Sequence, residues 1–170
     1  AHSNTRIVVY CCCARARTAR QKGVVQTMSD DDEPQPDYES EAWWANNSRT
    51  DDLYADWVSN PCATAEFVGQ LVRNRRGRVL VVGNGCSALP IALRKQGFQH
   101  VTALDSCHRV QEAQMAQAAR SASGADGDES LAAATVNWLV GDVRDLALFP
   151  AHYFDVIVDK ALSDVLLCYE

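Results

Sequence analysis

An α/β architecture, a mostly parallel sheet with helices on both faces, is predicted by three observations. The segments that read as strands are short and continuously apolar, as in a sheet covered on both sides. Strand-like and helix-like segments alternate along the chain. The run Arg78-Val-Leu-Val-Val-Gly-Asn-Gly-Cys-Ser-Ala88, with a second apolar run ending in Asp105, spells strand, glycine turn, helix, strand and acid. Such a unit lets a backbone approach a nucleoside-containing cofactor closely and offers a carboxylate to ribose hydroxyls. The arrangement is Rossmann-like.

Each element has its own signal. Asn60-Pro61 predicts a helix start, a capping side chain followed by proline at the first helical position, with Ala65, Phe67, Val68, Leu71 and Val72 as the apolar face. Val79 to Val82 form the first strand, Gly83 and Gly85 the turn, and Ser87 to Gln96 a helix with Pro90 in its first turn and Gly97 beyond its end. Val101 to Asp105 is the second strand. Ser106 is expected to cap a helix reaching about Ala122, packed through Val110, Ala113, Met115 and Ala118. Ser121 to Ser130 is a polar loop, expected to be mobile. Thr135 to Val140 and Phe154 to Val158 are the third and fourth strands, and Ala161 to Cys168 starts a further helix.

Over residues 1 to 41 the charge is uneven. Residues 1 to 28 carry Arg6, Arg15, Arg17, Arg20 and Lys22 and no acid, whereas Asp30, Asp31, Asp32, Glu33, Asp37, Glu39 and Glu41 follow with no base between. Residues 1–27 read as an Arg-rich targeting segment, which would imply mitochondria, or as translated upstream sequence with Met28 as the start; the second reading is preferred, with a cytoplasmic location. Residues 1–37 are expected to be a disordered tail, being strongly charged and poor in large apolar residues beyond Ile7 to Tyr10. Tyr38 to Trp57 is aromatic-rich and reads equally as a cap on a ligand pocket or as core anchoring.

Composition narrows the function classes. The chain has 170 residues, enough for one domain with a sizeable core. No apolar run approaches the roughly 20 residues that span a bilayer. A net charge of −6 argues against general nucleic-acid binding, and the cluster Arg73, Arg75, Arg76 and Arg78 reads as a solvated helix end. The seven cysteines include no C-x-x-C pair and no His-rich partner segment, so no metal site is expected and free thiols are. Cys86 reads as a small residue in a tight turn. His100, His108 and His152 need no chemical role.

In an open parallel sheet, ligands bind at the carboxyl ends of the strands. Gly83, Asn84 and Gly85 follow the first strand, Asp105 and Ser106 the second, Asp142 and Val143 the third, and Asp159 the fourth. Together they form a candidate cofactor cleft. Gly83-x-Gly85-x-x-Ala88 with Asp105 fits a dinucleotide fingerprint, which keeps an NAD(P)-dependent oxidoreductase open.

The same turn resembles the glycine motif of class I S-adenosylmethionine-dependent methyltransferases. Leu139-Val-Gly-Asp142 matches that superfamily's acid after the third strand. Phe154-Asp-Val-Ile-Val-Asp-Lys-Ala-Leu-Ser-Asp164 is similar to the fourth-strand motif of the group that includes elongation factor 1-alpha lysine methyltransferases, as Tyr54-Ala-Asp-Trp57 is to its upstream element. Ala161 stands where that pattern has glycine; Trp43, Trp44 and Arg49 are candidates for the rest of the upstream element. The resemblance implies that residues 38–170 are the amino-terminal part of a methyltransferase domain, with Gly83 and Gly85 near the methionine part of S-adenosylmethionine. By the same resemblance Asp105 holds the ribose, Asp142 the adenine, and Asp159 borders the transfer cleft. It implies methyl transfer to a protein lysine amine, with a protein substrate as partner and no indication of oligomeric state.

The family fold has seven strands. The chain is therefore expected to be a fragment, truncated after the fourth strand and following helix, with an open parallel edge that makes it aggregation-prone and little active. A non-catalytic fragment acting as an interaction module is the remaining alternative.

Overall fold

The computed structural model describes residues 7–10, 40–47, 60–122 and 135–166. Four parallel strands, β2 (Arg78–Val82), β3 (His100–Asp105), β4 (Asn137–Val140) and β5 (Val156–Asp159), form the body of the sheet, and β1 (Ile7–Tyr10) adds a fifth at one edge. Spatial order is β1-β5-β2-β3-β4, with every pair parallel. The helices are α1 (Glu41–Asn47), α2 (Pro61–Leu71), α3 (Leu89–Lys95), α4 (His108–Ala122) and α5 (Leu162–Leu166). This is the predicted α/β, Rossmann-like class.

The connections explain the order. β2 and β3 are each followed by a helix, α3 and α4, that returns the chain to the start of the next parallel strand. After β4 the chain comes back to pair β5 with β2, Val82 standing opposite Asp159. The strand order thus reverses at β2, and the crevice beside a reversal is where such sheets take ligands.

One face of the sheet packs against α2 and α3 through Ala65, Val68, Val79, Val81, Leu93, Phe98 and Val158, all at most 1% exposed. On α2, Asn60 caps as expected, its Oδ1 accepting the N–H groups of Cys62 (2.9 Å) and Ala63 (3.3 Å). Arg75 ties the ends of two helices together. It donates to the carbonyls of Gly69 on α2, of Val72 just after it and of Gln96 after α3, and lies over the Phe98 ring at 4.5 Å. Arg78 lies over Tyr153 and pairs with Asp155. Two of the four clustered arginines are therefore used within the fold.

Several expectations need correction. Ile7–Tyr10, placed in a disordered tail, pairs with β5, because its β-branched residues favour extended backbone and β5 offers an unpaired edge. That edge, expected to be open, is therefore covered. Phe67 and Leu71 are half exposed, whereas Thr64 turns inward. Met115 is exposed and Gln111 and Gln114 are buried, so α4 packs one step round from the predicted face. The first N–H groups at α4 go to carboxylates, Cys107 N–H to Asp105 and His108 N–H to Glu41, in place of the Ser106 hydroxyl. The aromatic stretch yields α1, which packs on the start of α4 with Trp43 and Trp44 partly buried. The remainder of the tail, Tyr38, Arg49, Tyr54, Trp57 and most of the 121–130 loop lie outside the described residues.

Candidate functional site

The predicted site residues gather on one edge because parallel strands end together. Val82 is in register with Leu104 on one side and Asp159 on the other, and Asp105 with Val140. The turn after β2 is anchored by the Gly83 N–H, which donates to the Leu104 carbonyl (2.9 Å).

The two glycines differ. Both have positive φ, +60° at Gly83 and +50° at Gly85, where a side chain would be strained. A Cβ on Gly83 would also stand 2.8 Å from Leu162 Cβ, so this glycine is demanded by packing against α5. Among the described residues, a Cβ on Gly85 would meet nothing within 4 Å. Among these residues, the open side of the turn therefore lies at Gly85, and the corresponding side of Gly83 is filled by protein.

Asp105 organises this opening. Its Oδ2 accepts the Gly85 N–H (2.8 Å) and its Oδ1 the Cys107 N–H (2.9 Å). Burial pushes its carboxyl above the ordinary carboxylate range, against the opposing pull of these two N–H groups. A carboxylate oxygen has two acceptor sites, and among the described residues each oxygen of Asp105 takes one N–H. Ser106, next to it, is exposed on the same edge. Burial likewise raises the Cys107 thiol, which favours its unreactive protonated form.

The other expected residues are engaged differently. Asn84 is 3% exposed, and its Nδ2 donates to the Gly85 carbonyl (2.8 Å), so its side chain braces the turn from inside. Asp142 accepts a fork from Arg144, with Nε 3.0 Å from each oxygen and Nη2 2.7 Å from Oδ2, and also the Arg144 N–H. That guanidinium holds its carboxyl below the ordinary range. An adenine amino group would have to share Asp142 with Arg144 or displace it. Val143 is partly buried against Leu80, Val82 and Leu104.

Asp159, expected to border the transfer cleft, is 5% exposed. Its carboxylate accepts the N–H groups of Leu162 (2.9 Å) and Ser163 (3.2 Å to Oδ2) and the Ser163 hydroxyl. It thereby caps α5 and holds Leu162 against Gly83. The short-range signal for this was present in the sequence: an acid three residues before a helix whose N–H groups need acceptors.

Gln111 and Gln114 were missed. Both are buried in α4 and donate into the turn and the strand ends around it. Counting apolar residues along a helix does not detect amides used in this way. Among the described residues, no three of His, Cys, Asp and Glu come together as a metal would require, and no helix is long and apolar enough to cross a membrane.

Fold and edge together define an α/β protein with a Rossmann-like parallel sheet and a glycine turn facing an acid at its switch point. No protein-family model matches the chain, and no curated protein matches it in sequence.

Proposed function

We propose that this chain binds S-adenosylmethionine at the Gly85–Asp105 opening and serves methyl transfer to a protein lysine amine. The observation that carries the nucleoside and the choice of cofactor is an asymmetry at the turn. The acid and the open glycine suit a ribose, but the helix behind them is poorly equipped for phosphate. A dinucleotide's pyrophosphate needs free N–H groups at that helix start. In α3 the Leu89 N–H is already taken by Ser87 Oγ (3.0 Å), and Pro90 has none. S-adenosylmethionine carries no phosphate and does not need them.

In this reading the remaining acceptor sites of Asp105 take the ribose hydroxyls, Gly85 gives the cofactor backbone-close passage, and Val143 lines the adenine end. The cofactor's sulfonium makes its methyl group electrophilic. The protein's task is then to align an acceptor in line with it, to exclude water, and to present a lysine amine neutral. No nucleophile from the chain is required. Asp159 contributes as the cap of α5, since its oxygens are already occupied. The lysine acceptor rests on the resemblance of the 154–164 run.

Calorimetric titration with S-adenosylmethionine and with NAD(P) tests the reading. Saturable binding of S-adenosylmethionine alone is expected. Binding of NAD(P) alone would make the chain an oxidoreductase domain, and binding of neither would leave an interaction module.

A further inference from the structure

Two glutamines sealed beneath the glycine turn have no part in the ligand contacts just described. Gln111 is 0% and Gln114 1% exposed, three residues apart on α4 and so on one face of it. Gln111 Nε2 lies 3.1 Å from Asn84 Oδ1, 3.1 Å from the Ala103 carbonyl and 2.8 Å from the Leu139 carbonyl. One amide thus links the turn after β2 to both β3 and β4. Gln114 Nε2 lies 3.2 Å from the Gly85 carbonyl and 3.3 Å from that of Ser87. Asn84 also donates to the Gly85 carbonyl, while the Gly85 N–H donates to Asp105. The Gly85 residue is therefore held at its carbonyl by Asn84 and Gln114 and at its N–H by Asp105.

The arrangement is costly. Each glutamine leaves its Oε1 buried without a hydrogen-bond partner among the described residues. Methionine fills a similar volume in a core with no polar atom to satisfy. Stability is given up where it maintains donors aimed at the turn.

We propose that Gln111 and Gln114 are positioning residues. They fix the Gly85 N–H and the Asp105 carboxylate in the geometry that receives a ribose diol, and so set nucleoside affinity without touching the nucleoside. This rests on the nucleoside-binding reading above.

The test compares the parent chain with Gln114→Met and Gln114→Glu. S-adenosylmethionine affinity is measured by calorimetry and exchange of the Gly85 amide by NMR, on protein shown to be folded by circular dichroism. Gln114→Met is expected to bind at least about tenfold more weakly, the scale of one lost buried hydrogen bond, with faster Gly85 exchange. Gln114→Glu has a donor only when protonated, so it regains affinity relative to the parent as pH falls. A role in stability alone would leave the affinity of folded molecules unchanged. Affinity of folded Gln114→Met within about twofold of the parent, with Gly85 exchange unchanged, overturns the proposal. If Gln114→Met does not fold, the pH dependence of Gln114→Glu decides: recovery upholds the proposal and its absence overturns it. If the parent binds no nucleoside, the proposed function falls. Gly85 exchange then decides the positioning alone: faster exchange in the variants upholds it and unchanged exchange overturns it.

Discussion

Ala161 sits at φ 71° between the capping Asp159 and the first residue of α5. A side chain in that region costs about 1–2 kcal/mol relative to ordinary backbone, part of which glycine returns through its greater freedom in the unfolded chain. Ala161→Gly is therefore expected to stabilise the protein by about 0.5–1 kcal/mol, read as a higher denaturant midpoint at unchanged slope. A lower midpoint would show that the capped turn does not carry this strain. Asp105 and Asp142 make a contrast at the same scale. Burial raises the Asp105 carboxyl, so its ionisation opposes folding; its favourable contribution is full below the ordinary aspartate pKa and is lost as pH rises through the raised one. Arg144 lowers the Asp142 carboxyl, so its contribution is present above the ordinary value and lost as pH falls, and exposure and salt keep it small. Asparagine does not titrate. The stability of Asp105→Asn relative to the parent should therefore rise as pH increases across the window from the ordinary aspartate pKa to the raised one. A constant difference over that window, measured by denaturant unfolding, would sink this account of Asp105.

Elements were legible where backbone and burial speak through residue type, and hidden where side chains serve other elements. The apolar runs of β2 and β3 fell within a residue of their observed bounds, because strands covered on both faces tolerate little else. Asn60-Pro61 marked the start of α2 because a cap and a proline act locally. Phe67, Leu71 and Met115 were misplaced for a common reason: apolarity was taken as burial, although folded surfaces carry many apolar atoms. On α4 the inward face runs through Val110, Gln111, Gln114 and Ala118 at helical spacing, but two of its members are amides that pattern reading scores as solvent-facing. Asp159 was legible as an acid at a strand end. Its work as a cap had a local signal, its place three residues before α5, but its hold on Leu162 against Gly83 also depends on the left-handed Ala161. The site was thus readable as a set of positions along one edge, while their partners were fixed by contacts remote in sequence, such as Asp105 with Gly85 and Gln111 with Leu139.

At the scale of the whole molecule, β1 changes how the sheet ends. Without it, β5 would present unpaired N–H and C=O groups beside the switch point, and Val156 and Val158, now at most 2% exposed, lie in that strand. β1 covers the β5 edge with four residues, pairing Ile7 to Val156 through Tyr10 to Asp159. Neighbouring N–H groups along a strand point to opposite sides, so of Val8 and Val9 one donates towards β5. Replacing both with proline removes that donor whichever it is, and proline is excluded from paired strand positions. The double variant Val8→Pro/Val9→Pro should therefore release β1 and leave β5 as an open parallel edge. Self-association is expected to increase with concentration relative to the parent, read by sedimentation velocity. On the proposed function, S-adenosylmethionine affinity of the remaining soluble protein should change little, because Gly85 and Asp105 are organised from β2, β3 and α4. An unchanged sedimentation profile would mean that β1 does not protect this edge, and a collapse of affinity without association would mean that the edge strand supports the site directly.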